Sequence, residues 1–170
     1  MTFVWLPLVP PPGPSPSKPS AGWRLQLAGC NASDAMQRFS LAGGTLIHSP
    51  SNLCVTGGPS LTQLALAECV AGEAEQHWVA SASESGGTIS NGESGAGCLD
   101  LNNANDVLAA GNEIIAYQCG SAWNERWEIG GDILEALDQE GRPSSFCAAV
   151  APAAQGWTLP WLPAWSLKDF

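Results

Sequence analysis

The sequence predicts an all-β fold built from three related units, one of which is divided between the two ends of the chain. Three observations support this prediction: a pattern of short strands that recurs along the chain, many turn-forming residues, and six cysteines placed two to a unit. Only 13% of the 170 residues are charged, and 19 are glycine, which suits short strands joined by tight turns.

The bulk properties of the chain limit its partners. A chain of 170 residues allows one domain with flanking sequence. The formal net charge of -10 and a pI near 4.3 would repel nucleic acid and anionic membrane surfaces. No apolar run reaches the roughly eighteen residues that a membrane span requires. We therefore expect no nucleic-acid partner and no membrane span.

Both ends of the chain differ in composition from the middle. Residues 1–21 are dense in proline, which favours extended segments without a packed core, so we expect a proline-rich linker. This segment starts with apolar residues but has no basic residue before them, which makes it a poor signal peptide. Residues 151–170 hold three tryptophans and three prolines, and we expect a flexible tail or the start of another domain.

The first predicted strand covers residues 23–27, where apolar and polar residues alternate as in a strand with one buried face. Cys30 and the motif Gln37-Arg38-Phe39 follow it. Residues 22–40 thus have the order found in the second half of the complete units downstream.

The second unit, residues 41–79, contains predicted strands at 45–47, 53–55 and 63–69 and ends on Gln76-His77-Trp78. The third unit, residues 80–129, repeats this order and ends on Glu125-Arg126-Trp127. Residues 130–150 repeat the first half once more, with predicted strands at 132–137 and 146–150. We expect Phe39, Trp78 and Trp127 to be core anchors, one at the end of each unit.

The two terminal halves together make one whole unit. If they meet, the threefold sheet closes and avoids unpaired edges. The cysteines agree with this arrangement, since pairs within units join Cys54 to Cys69 and Cys98 to Cys119 and leave Cys30 for Cys147. Regularly placed, even-numbered cysteines also predict disulfides in an oxidising compartment, so we expect an extracellular or secretory location.

Residues 22–150 resemble a ricin B-chain-type lectin domain, which is a β-trefoil of three units. The resemblance implies carbohydrate binding, of a mono- or polysaccharide and commonly of galactose-type or related sugars, often by a module appended to a glycoside hydrolase or other secreted protein. It rests on two cysteines per unit and on the following motifs: Gln37-Arg38-Phe39, Gln76-His77-Trp78, Glu125-Arg126-Trp127 and Cys98-Leu99-Asp100.

The resemblance also implies which residues bind the sugar. In this family an Asp after Cys-Leu accepts hydrogen bonds from sugar hydroxyls, and an aromatic residue two positions before the second cysteine stacks on the ring. An Asn before the closing motif adds a polar contact. The third unit has all three residues, as Asp100, Tyr117 and Asn124.

Three further residues are weaker candidates for the same site. Asn112 is expected to reach the pocket from the start of its strand. Glu125 replaces the Gln that is usual in the family, which keeps a hydrogen-bond acceptor and loses a donor. Trp123 is expected at the rim.

The other two units lack the implied sugar-binding residues. The second unit has Thr56 and Ala67 at the Asp and aromatic positions, and the divided unit has Ala149 and Ala28. We therefore predict one intact pocket, in the third unit.

Other interpretations remain open at this level. Asp100 is also compatible with a turn residue, and Tyr117 with a half-exposed strand residue that has no ligand. The whole domain is also compatible with a structural remnant or a protein-contact domain without sugar binding. Catalysis by the chain itself is not expected, because the sequence shows no Ser/His/Asp arrangement and no acid pair placed for hydrolysis.

Neither a metal nor a cofactor is predicted. The sequence has no Cys-x-x-Cys pair, and His48 and His77 are in separate segments, where we expect solvated loop or strand-edge histidines. The polar run at residues 100–106 resembles a calcium loop superficially. It lacks the spacing and the bidentate Glu of an EF-hand, so a hydrophilic loop is the better prediction.

Overall fold

The computed structural model describes residues 18–81, 86–92, 97–102, 107–120 and 122–153. Within these ranges the fold is all-β, which confirms the predicted class, with thirteen strands and three short 3-10 helices. Most of the proline-rich segment, most of the C-terminal tail, and Asn103, Asn105 and Asp106 of the polar run lie outside the described residues. None of the described helices has the length and apolar character needed to cross a membrane.

Short strands joined by turns make up the described chain. The 3-10 helices at Ala35–Gln37, Ala74–Gln76 and Trp123–Glu125 each precede the closing strand of a unit. The strands are β1 (Arg24–Gly29), β2 (Phe39–Ala42), β3 (Thr45–His48), β4 (Leu53–Thr56), β5 (Thr62–Gln63), β6 (Ala65–Ala67), β7 (Val79–Ala80), β8 (Ile89–Asn91), β9 (Gly97–Asn102), β10 (Glu113–Tyr117), β11 (Trp127–Gly130), β12 (Ile133–Leu137) and β13 (Pro143–Ala151).

Each unit pairs two strands in the same antiparallel register. In the second unit β4 pairs with β6, in the third β9 pairs with β10, and in the divided unit β13 pairs with β1. The register sets the first cysteine of each unit opposite an equivalent residue: Cys54 opposite Ala67, Cys98 opposite Tyr117, and Cys147 opposite Ala28. Equivalent positions in the three units can therefore be compared residue by residue.

The three units close on one another in a ring. Strand β1 of the divided unit pairs with β6 and with β10, and β5 pairs with β10, so every unit contacts the other two. The hairpins β2–β3, β7–β8 and β11–β12 connect each unit to the next. The terminal halves do meet, which confirms the threefold arrangement that the repeats predict and the β-trefoil that the resemblance implies.

Large apolar side chains fill the interior at the unit ends. Phe39, Trp78 and Trp127 are each 1% exposed, which confirms their prediction as core anchors. The indole Nε1 of Trp78 donates to the carbonyl of Val55 at 2.9 Å, and that of Trp127 donates to the carbonyl of Leu99 at 3.0 Å. These bonds satisfy the polar atom of each buried indole ring.

Three disulfides join the six cysteines, as Cys30 with Cys147, Cys54 with Cys69, and Cys98 with Cys119. The first spans 117 residues and ties the two terminal halves of the divided unit together. Closing so long a loop removes much of the freedom of the unfolded chain.

His48 contradicts the expectation of a solvated loop or strand-edge residue, because its side chain is fully buried. It lies on the inward face at the end of β3, where its Nδ1 is 2.8 Å from the Ser51 hydroxyl and its Nε2 is 3.0 Å from the carbonyl of Ala35. Its ring meets Phe39 edge to face at 5.4 Å. Because both ring nitrogens have partners, the imidazole can be buried at modest cost. His77 is partly buried at a β-bridge with Thr45.

Candidate functional site

The candidate site lies on the outer face of the β9–β10 pair. Side chains alternate between the two faces of a strand. The inward face of this pair carries core residues, whereas the outward face carries Asp100 opposite Ile115, with Tyr117 two residues further along β10. The alternation thus brings Asp100 and Tyr117 to one face of the sheet.

A cavity of about 240 Å³ opens on this face. It is smaller than the roughly 300–1,000 Å³ of pockets that enclose drug-sized ligands, so it suits one small polar ring. The residues that line it are Leu61, Asp100, Leu101, Asn102, Ile115, Tyr117 and Asn124.

A second, larger cavity of about 480 Å³ lies beside β11 and β12. Its aromatic residue, Trp127, is 1% exposed and therefore offers no ring face to a ligand. The smaller cavity, which holds a carboxylate together with a half-exposed aromatic ring, is the better candidate for recognition of a polar ligand.

Asn124 orients the carboxylate of Asp100. Its Nδ2 donates to Oδ1 of Asp100 at 2.8 Å and also approaches the carbonyl of Leu101 at 3.3 Å. Within the described ranges no hydrogen bond reaches Oδ2 of Asp100, although the residue as a whole is 3% exposed. The cavity therefore contains a nearly buried carboxylate that is held through Oδ1 and whose Oδ2 has no hydrogen-bond partner among the described residues.

The environment of Asp100 disfavours its charge. Burial, with repulsion from the Glu125 carboxylate as a second cause, raises the pKa of Asp100 from its usual 3.8 to about 7, against the lowering effect of the Asn124 hydrogen bond. A carboxyl group with a strongly raised pKa in a cleft is typical of functional sites. At such sites a charge that destabilises the free protein contributes to binding or catalysis.

Glu125 is not among the residues that line the cavity. Its side chain is buried, and both carboxylate oxygens accept from the backbone N–H of Gly120, at 2.8 and 3.1 Å. In the other units Gln37 and Gln76 hold the equivalent position. Each side chain accepts a hydrogen bond from the backbone N–H of the residue after the second cysteine of its unit. Each also donates to the carbonyl of the residue before that cysteine, and all four distances are 2.9 Å. Glu125 has the acceptor role and lacks the N–H that donates in the other two units.

Asn112 and Trp123 also lie outside the lining of the cavity. The Asn112 side chain accepts from the backbone N–H of Ala109 at 2.6 Å, across the turn before β10. Trp123 lines a separate cavity of about 390 Å³ together with Val107 and Leu108. Of the five predicted sugar-binding residues, the cavity brings together Asp100, Tyr117 and Asn124.

Four lining residues were not anticipated from the sequence, and one of them, Leu101, is a core residue of the inward face. Ile115 and Asn102 share the outer face with Asp100, and the alternation of the strands is a signal that points to both. Leu61 comes from the loop before β5 in the neighbouring unit, so no pattern within the third unit indicates it.

The register identifies the corresponding positions in the other units. Thr56 and Ala67 of the second unit, and Ala149 and Ala28 of the divided unit, hold the places of Asp100 and Tyr117. Neither place carries a carboxylate or an aromatic ring.

Comparison with known proteins identifies a family whose profile matches this chain. The profile of the ricin-type β-trefoil lectin domain matches residues 14–110, which is more than half of the chain. A solved structure titled "PSL1a-E64 complex" is similar, with 14% identity and a TM-score of 0.44, over 79% of this chain and 45% of that one. The chain therefore spans less than half the length of that structure. No curated protein matches the sequence.

Proposed function

The chain belongs to the ricin-type β-trefoil lectin domain family, whose members are carbohydrate-binding modules, and we propose that it binds a galactose-type or related sugar through the cavity at Asp100. Modules of this family are non-catalytic. The proposed roles are hydrogen-bond acceptor for Asp100, stacking platform for Tyr117 and positioning residue for Asn124.

The observation that carries this proposal is the half-satisfied carboxylate of Asp100. Sugar hydroxyls donate well to a carboxylate, and charge-assisted hydrogen bonds are among the strongest that a protein makes. The bond from Asn124 at 2.8 Å holds Oδ1 and leaves Oδ2 for the ligand. A buried carboxylate that destabilises the free protein is readily explained if a ligand supplies the missing donors.

Tyr117 supports a ligand with both a polar edge and an apolar face. It is 42% exposed at the end of β10, so part of the residue is open to solvent beside the cavity. A pyranose ring has a C–H face that packs on an aromatic ring while its hydroxyls reach polar groups at the side. The combination of Tyr117 with Asp100 thus matches the two sides of a sugar.

One shallow site favours weak binding that is strengthened by linkage to other domains. We propose that residues 22–150 form the binding domain, that residues 1–21 act as a linker and that residues 151–170 form a flexible tail. The linked partner would be a glycoside hydrolase or another secreted protein. The three disulfides are typical of extracellular proteins and agree with export.

A second candidate function is that of a structural or protein-contact trefoil without sugar binding. The loss of carboxylate and ring in two of the three units favours it, because Thr56, Ala67, Ala149 and Ala28 supply neither group at the equivalent positions.

The test is retention of the oxidised protein on immobilised galactose, accompanied by a glycan array. We expect the wild type to be retained and Asp100→Ala to pass through. Thr56→Ala, at the equivalent position of the second unit, is the matched control and should be retained like the wild type. Silence of the folded wild type on both supports would favour the structural alternative.

A further inference from the structure

One backbone position recurs in all three units. The N–H of Gly22 donates to the carbonyl of Leu66, that of Leu61 to Ala116, and that of Gly111 to Leu27, at 2.7, 2.7 and 2.8 Å. The three acceptors are themselves equivalent, because each lies opposite the residue after the first cysteine of its unit: Val55, Leu99 and Ala148. Gly22, Leu61 and Gly111 are therefore threefold counterparts.

This position requires a left-handed backbone. The φ angles are +88° at Gly22, +69° at Leu61 and +91° at Gly111. Glycine adopts such angles freely, whereas the Cβ of other residues crowds the backbone there. The divided unit and the third unit use glycine at this position, and the second unit uses leucine, which is the more costly choice for stability. A strained residue that persists in a fold points to a functional role.

Leucine occurs at the one counterpart that adjoins the intact cavity. Leu61 lines the cavity beside Tyr117 and Asp100. Gly22 and Gly111 adjoin the second and divided units through Leu66 and Leu27, where the carboxylate and the ring are missing. The strained residue of the second unit and the complete polar set of the third unit thus meet at the same cavity.

Leu61 lies close to the strand that carries Tyr117. It precedes Thr62, which pairs with Ala116, and its N–H donates to the carbonyl of Ala116 at 2.7 Å. Leu61 and Tyr117 line the same cavity. Leu61 is 69% exposed and Tyr117 is 42% exposed, so both offer apolar surface to a ligand there.

We infer that Leu61 is a ligand-contacting, specificity-determining residue that packs against a second sugar ring linked to the one held by Asp100. This inference rests on the proposed function. The cavity of about 240 Å³ suits a single ring at Asp100. Leu61 lines this cavity and is 69% exposed, so most of its side chain remains open to the C–H face of the next ring of a disaccharide. The site therefore discriminates a linked galactoside from free galactose.

The test compares Leu61→Gly with the wild type by calorimetric titration of galactose and of lactose. Burial of most of a leucine side chain corresponds to roughly tenfold in affinity. We expect the wild type to bind lactose more tightly than galactose. Leu61→Gly should weaken lactose binding roughly tenfold, leave galactose binding within about twofold, and raise the thermal midpoint.

Asn52→Gly is the matched control, since Asn52 has a φ of +58° and does not line the cavity. It should raise or maintain the thermal midpoint and leave both affinities unchanged. Equal lactose affinity of Leu61→Gly and the wild type would overturn the inference while the proposed function stands. The wild type is measured before the variants. Failure of the wild type to bind either sugar would refute the galactose-type site itself.

Discussion

Asn124 donates a hydrogen bond of 2.8 Å to Asp100, and this bond stabilises the charge that burial and the Glu125 carboxylate disfavour. The pKa of Asp100 nevertheless rises to about 7. The third unit thus contains a carboxylate that costs the free protein stability near neutral pH. The first three predictions follow from that conflict between stability and binding.

Replacement of Asp100 by Asn should stabilise the protein and abolish tight binding. The folded-state pKa of about 7 exceeds the usual 3.8, so the contribution of Asp100 to stability is fully present below 3.8 and is lost as the pH rises through 7. Asp100→Asn removes the charge, so at pH 8 we expect the free energy of unfolding to rise by up to about 4 kcal/mol. Galactose affinity should fall at least about tenfold, because the charge-assisted bonds are gone. Denaturant unfolding and calorimetric titration measure the two effects, and an unaltered affinity would rule out the assigned acceptor.

Sugar affinity should depend on pH through the ionisation of Asp100. A pKa of about 7 leaves about a tenth of the carboxyl groups ionised at pH 6, so binding should be about tenfold weaker there than at pH 8. Titration calorimetry from pH 5.5 to 8.5 measures the profile. A flat profile in a protein that binds galactose would show that the ligand does not use the ionised form.

Replacement of Glu125 by Gln should move that pH profile to lower pH. The substitution removes the carboxylate that repels Asp100, and its new amide N–H can donate to the carbonyl of Gln118, as Gln37 and Gln76 donate in the other units. We therefore expect a lower midpoint of the binding profile and a higher thermal midpoint.

Gln76→Glu in the second unit is the control for this change. It removes the donor to the carbonyl of Glu68 and should lower thermal stability without altering the binding profile. An unmoved midpoint in Glu125→Gln would mean that Glu125 does not influence the Asp100 carboxyl group.

Removal of the terminal disulfide should destabilise the fold more than removal of a local one. Cys30→Ala with Cys147→Ala opens a loop of 117 residues, and Cys54→Ala with Cys69→Ala opens one of 15. The chain-entropy relation gives losses of about 5 and about 3 kcal/mol, respectively. Denaturant unfolding of the two double variants measures the difference, and the reverse order would argue against a tight junction between the terminal halves.

The fold was predictable because its signals repeat. The cysteines, the closing motifs and the three core anchors recur in phase, so each unit supports the assignment of the others. His48 was misjudged because its burial depends on Ser51 and on the carbonyl of Ala35, two partners that only the tertiary structure supplies. A polar residue on the inward face of a strand carries no local sign of such partners.

Part of the site was predictable because its residues have fixed positions in the repeated pattern. Asp100, Tyr117 and Asn124 follow from their positions relative to the cysteines and the closing motif of one unit. Leu61 enters from the neighbouring unit, so its role becomes visible only when the pairing of β5 with β10 is known. The raised pKa of Asp100 likewise depends on burial and on Glu125, which is 25 residues further along the chain.

A crystal structure of the oxidised protein soaked in galactose tests the central claim most directly. We predict one sugar per chain, with a hydroxyl within hydrogen-bond distance of Oδ2 of Asp100 and the ring stacked on Tyr117. Galactose bound elsewhere on the molecule, with the Asp100 cavity empty, would contradict this account.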